Sequence, residues 1–161
     1  MIEDAPAAFD SAPIARAIHQ HRTAGDSLRL LPSPPSGPLP GWAGDSGTGP
    51  AYAALRAAAT HEGAGLSDGA NEIIRAAIAR HRGHDLDIGR NWLADAADGI
   101  GPDEQPAAKL AILTALAPDT VTDDDIDLWR TDQHSDHDLL HLLAYGAMIA
   151  VELIESDIAD G

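Results

Sequence analysis

From Pro50 onward the apolar residues fall in blocks at helical spacing, each closed by a stop signal, and the blocks read as a series of helices. AYAALRAAATHEG runs to Gly63. Ser67 caps DGANEIIRAAIARHR, which ends at Gly83, and DLDIGRNWLADAAD ends at Gly99. EQPAAKLAILTALA places Leu110, Ile112, Leu113 and Leu116 on a further helix. Thr122 then caps a short DDDIDLWR helix, and Ser135 caps a long one from Asp136 to about Asp157. The last is apolar nearly all round between Leu139 and Ile154, which marks it as the central buried helix.

Upstream, Ser11 and Pro13 read as a cap and first turn. Ile14, Ala17 and Ile18 form a short amphipathic stripe before Gly25, so a short arm helix is expected there. Residues 31–50, LPSPPSGPLPGWAGDSGTGP, are too rich in Pro and Gly for a helix and read as an extended linker anchored by Trp42. This divides the chain into an arm, 1–50, and a helical domain, 51–161. Only six residues are aromatic and much of the apolar content is Ala, a composition suited to closely packed helices, so the expected class is all-α.

A formal charge of −16, with ten basic residues of which one, Lys109, is lysine, repels phosphate backbones and anionic lipid. Nucleic-acid and membrane partners are therefore not expected. The N-terminus MIEDAPAAFD is acidic where a signal peptide is basic, and LLHLLAYGAMIAVELI is shorter than a bilayer span and interrupted by His141 and Glu152. A cytoplasmic location is the simplest expectation. The chain has no cysteine, which removes disulfides, thiolate nucleophiles and thiolate metal sites.

Candidate chemistry concentrates in GHDLDIGRN, residues 83–91. On a helix, His84, Asp87 and Asn91 would stand at i, i+3 and i+7 on one stripe, with Glu72 facing them from the preceding helix. Glu72, His84 and Asp87 would then form an acid–base set. The plainer reading is that Asp85 and Asp87 favour a helix start, that His84 is solvated, and that Glu72 pairs with Arg75 or Arg80. His134, His137 and His141 suggest a metal site, but they lack a recognised signature, and solvated histidines are preferred. Glu152, set in an apolar run, must be paired, protonated or facing a cavity, and an Arg partner at a helix end or subunit interface is preferred to a pocket role. His81 and His141 are expected in the core or at an interface.

The stretches NEIIRAAIARHRGHDLDIG, DGIGPDEQ and PDTVTDDDIDLWRTDQHSDHDLL resemble the carboxymuconolactone decarboxylase and alkylhydroperoxidase D-like superfamily, over residues 51–158. The resemblance implies an all-helical, homo-oligomeric protein. The peroxidase branch carries a Glu, then two Cys and a His at spacings that fall here on Glu72, His84, Asp87 and Asn91. With both cysteines replaced, the dithiol chemistry of that branch has no reactive group. What the resemblance leaves is the decarboxylase branch: a lyase or isomerase acting on a small organic molecule by acid–base chemistry, with Glu72, His84, Asp87 and Asn91 as its catalytic set and no cofactor. The alternative is a non-catalytic oligomeric or ligand-binding relic of the same fold. Either way, the purified protein should give no dithiol-dependent peroxide turnover in a coupled reductase assay; measurable turnover would contradict this.

Overall fold

In the computed structural model, which describes residues 37–44, 46–86 and 89–160, the chain forms six α-helices: α1 Thr48–Ala59, α2 Asp68–His81, α3 Asn91–Ala96, α4 Gln105–Leu116, α5 Asp123–Trp129 and α6 Asp136–Asp160. No strand occurs among the described residues, and the protein is all-α. The arm helix expected around residues 11–25 lies outside the described residues.

Three helix starts follow directly from local sequence. The Ser67 hydroxyl accepts the Ala70 amide at 3.3 Å, and Glu104 grips the same cap from outside, taking the Ser67 amide at 2.6 Å and its hydroxyl at 2.9 Å. Thr122 and Asp125 form a reciprocal capping box at α5. Ser135 and Asp138 repeat it at α6, where the Ser135 amide and hydroxyl donate to Asp138 at 2.8 and 2.7 Å.

Four expectations need correction. The Pro/Gly-rich stretch does not run to Pro50, because α1 begins at Thr48 and carries Pro50 in its first turn, where a missing N–H costs nothing. The long last helix is not the centre of the core. That place belongs to α4, whose Leu110, Ala111, Ile112 and Leu113 are fully buried and which packs against α2, α3, α5 and α6. At 25 residues α6 also has the length and composition to cross a bilayer, contrary to the sequence estimate. Here it lies along the edge of the bundle, with Leu142, Tyr145 and Ile149 buried while Leu140, Ile154 and Ile158 are exposed. Gly146 brings α6 against the α4 backbone: a Cβ there would meet the Ala111 carbonyl oxygen at 2.2 Å.

The fourth correction bears on the site. The helix expected from Asp85 begins only at Asn91. Gly83, at φ +73°, ends α2; His84–Leu86 are not helical, and Arg90 enters α3 at φ +56°. A left-handed non-glycine residue costs roughly 1–2 kcal/mol. Arg90 is held there by Asp125, whose Oδ2 accepts from its Nη2 at 2.9 Å. Partial burial works to raise the Asp125 carboxyl, but the Thr122 hydroxyl and amide together with Arg90 outweigh it and hold the group below the usual carboxylate range. A depressed folded value gives stabilisation that is fully present above the unfolded pKa and is lost as pH falls through the folded one. Asp125→Asn is therefore expected to cost about 1–2 kcal/mol at neutral pH. In urea melts across the acid range, the gap to wild type should close below the Asp125 pKa; a gap independent of pH would contradict this origin.

Candidate functional site

His84 and Asn91, expected with Asp87 on one helical stripe facing Glu72, do not share a helix. Glu72 is exposed on α2 and forms no ion pair among the described residues; of its two expected partners, Arg75 and Arg80, the first turns instead to Glu152. His84 is exposed in the turn after α2, with Nδ1 3.2 Å from the Arg82 carbonyl oxygen. Asn91 is exposed as the first residue of α3, and Asp87 lies outside the described residues. The i, i+3, i+7 argument fails because residues 84–86 are not helical. Glu72, His84 and Asn91 line neither of the two clefts described next.

The first cleft lies between residues 37–42, α1 and the C-terminal half of α6, with a volume of about 870 Å³. Its lining is mostly apolar, contributed by Pro38, Leu39, Trp42, Ile158 and Ala159, and one edge carries a chain of charges. Glu152 takes Arg75 Nη1 at 2.9 Å and lies 4.0 Å from Arg56 Nε, so the carboxylate in the apolar run has the Arg partner the sequence favoured while also lining the cleft. Glu155, one turn further on, faces Arg56 Nη1 at 3.5 Å and accepts the Trp42 indole N–H at 2.8 Å. Arg56 also donates to the Pro38 carbonyl, and its guanidinium stands 5.8 Å from the Tyr52 ring centroid. Tyr52 in turn meets Trp42 edge-on, with ring centroids 5.3 Å apart. Burial, and then Glu155, push the Tyr52 hydroxyl above its ordinary range. Thus α1 and α6 pin the segment before α1 through one arginine, and the indole of Trp42 becomes a wall of the cleft.

Behind this edge the buried Tyr145 donates its hydroxyl to Asn71 Oδ1, and burial raises its pKa. Asn71 also secures the connection between α1 and α2, where Glu62, Gly63 and Ala64 run consecutively at φ 49°, 57° and 56°. Its amide donates to the Leu66 carbonyl at 3.1 Å, and it packs so closely on Gly63 that a Cβ there would lie 2.1 Å from Nδ2.

A second, polar cleft of about 540 Å³ lies between that left-handed turn and the start of α6, and includes His61, His134 and His141. Its histidines have structural partners. His134 stacks flat on Trp129, at 4.3 Å and 4°, with Nδ1 2.9 Å from the Trp129 carbonyl oxygen; His141 Nε2 lies 3.0 Å from the Ala58 carbonyl oxygen. Among the described residues no three potential ligands converge on a metal position. His81 is half-buried, its ring 5.6 Å from that of Trp92.

Sequence reasoning singled out Trp42 as an anchor and Glu152 as a carboxylate in need of a partner, but missed Arg56 and Glu155. The signal was present: two glutamates three residues apart at the C-terminal end of an apolar run, in a chain with few arginines. Compared with known proteins, the chain matches no family model, no curated protein and no solved structure at a significant level. Its fold and site define it as an all-helical protein with an apolar, tryptophan-walled cleft.

Proposed function

We propose that the protein binds a small, uncharged and largely apolar molecule in the Trp42 cleft, as a non-catalytic member of the alkylhydroperoxidase D-like type of helical fold. The observation that carries the reading is the cleft itself: a volume within the range of small-molecule sites, apolar walls, and a few polar groups already satisfied by one another. Two glutamates against one arginine on its lining, in a chain of net charge −16, disfavour an anionic ligand. The relationship to the alkylhydroperoxidase D-like type is supported by the all-helical architecture and by the motif order of the sequence.

The test is fluorescence titration with Nile red, an uncharged apolar dye. Trp42→Ala removes the aromatic wall and should weaken binding about tenfold or more, equivalent to ~1.4 kcal/mol. Equal affinity in wild type and Trp42→Ala would sink the proposal.

A second reading keeps the acid–base enzyme of the decarboxylase branch. In its favour, neither Glu72 nor His84 has a charged partner among the described residues, which leaves both available for proton transfer. It requires carbon dioxide release from carboxymuconolactone by wild type and loss of that release in Glu72→Gln. The binding reading expects no release from either protein.

A further inference from the structure

The outward face of α6 carries a stripe that the core does not explain and that meets the Trp42 cleft only at Ile158. Leu140, Ala144, Ala147, Val151, Ile154 and Ile158 follow one another at intervals of four, three, four, three and four. This is the a/d spacing of a coiled-coil seam, spanning roughly 27 Å of helix. Leu140 is 66 % exposed, Val151 39 %, Ile154 51 % and Ile158 76 %, while the opposite face of the same helix buries Leu142, Tyr145 and Ile149. An α-helix with matching spacing is the surface that such a seam fits.

We propose that the seam pairs with α6 of a second copy, antiparallel, about a twofold axis passing at residue 149. The order of side-chain sizes is the reason. About that position the stripe is symmetric: Leu140 would face Ile158, Ala144 would face Ile154, and Ala147 would face Val151. Every small residue meets a large one, the arrangement in which facing layers interdigitate without voids. A parallel pair would set Ala144 against Ala144 and Ile154 against Ile154, leaving gaps at some layers and crowding others. A twofold pair also uses the same patch on both subunits, as a self-complementary seam requires.

Electrostatics favour the same occupant. The carboxylates nearest the C-terminal half of the seam are engaged within their own chain: Glu152 with Arg75, Glu155 with Arg56 and Asp157 with Arg82. The seam is therefore an uncharged strip with internally paired borders on a strongly acidic molecule, where two copies meet with least repulsion. Those satisfied borders give a basic partner little to bind, and the overall charge opposes an anionic bilayer.

Light scattering on the full chain should give twice the 16.8 kDa chain mass, falling to the monomer mass in Val151→Glu with an unchanged far-UV spectrum, because Val151 is already part of the exposed face. Cysteine pairing tests the register on this cysteine-free background. Under oxidation, an equimolar mixture of Ala147→Cys and Val151→Cys should form a mixed disulfide, whereas each variant alone should not, since like positions are then too far apart for disulfide geometry. A monomer at every concentration, a dimer that survives Val151→Glu, cross-linking of Ala147→Cys alone, or binding to phosphatidylglycerol vesicles in place of dimerisation would each overturn the proposal.

Discussion

Gly146→Ala is expected to lower the melting temperature by roughly 10 °C. The added Cβ would sit 2.2 Å from the Ala111 carbonyl oxygen and 2.9 Å from both its carbonyl carbon and Cα, all of them backbone atoms of α4. Backbone in the middle of a buried helix cannot swing aside as a side-chain tip can, so α4 and α6 must separate. Every contact between them then loosens, at about 3 kcal/mol or more. Gly69→Ala is the matched control. Its Cβ would meet nothing within 4 Å in α2, and the substitution should be neutral or stabilise by about 0.5 kcal/mol. Calorimetric melts of the two variants should move in opposite directions or leave Gly69→Ala unmoved; equal losses would mean that the α4–α6 crossing is not as close as described.

The second large effect tests which helix is the centre. Leu110→Ala, in fully buried α4, should cost about 2–5 kcal/mol through lost apolar transfer and the cavity left behind. Leu55→Ala in α1 removes the same atoms from a side chain that is 58 % exposed, and should cost under about 0.5 kcal/mol. Urea denaturation of the pair gives the comparison directly. Similar losses at the two positions would remove α4 from the centre of the core.

The helix starts were legible because their chemistry is local. Ser67, Thr122 and Ser135 each precede a run whose amides they cap, and in the latter two an aspartate three residues on completes the box, all within a few residues of sequence. The start of α3 was not legible in the same way. Its late beginning depends on Arg90 being held left-handed by Asp125, thirty-five positions away, and no reading of GHDLDIGRN by itself contains that partner. The stripe through His84, Asp87 and Asn91 was lost with it.

The centrality of α6 was misjudged for a different reason. Apolar residues on all sides of a helix imply burial on all sides only if one partner covers it. Here the inner face belongs to the α4 core and the outer face to the seam from Leu140 to Ile158. Hydrophobicity alone does not separate the two roles, whereas the three-four spacing of the exposed subset does. The cleft was half legible. Glu152 advertised its need for an arginine, but the Trp42–Glu155 bond closes over 113 positions, and only the packing of α1 against α6 brings it about.

The central claim, that the Trp42 cleft is the ligand site, is tested most directly by the three indole N–H signals of the chain in a proton–nitrogen correlation spectrum, recorded while an uncharged aromatic, 1-naphthol, is added. Trp42 stands on the cleft wall, Trp129 is buried beneath His134, and Trp92 lies beside His81. The Trp42 signal should shift in a saturable way while those of Trp92 and Trp129 hold still. A saturable shift of Trp92 or Trp129 with Trp42 unmoved would contradict the account and place the ligand elsewhere in the fold.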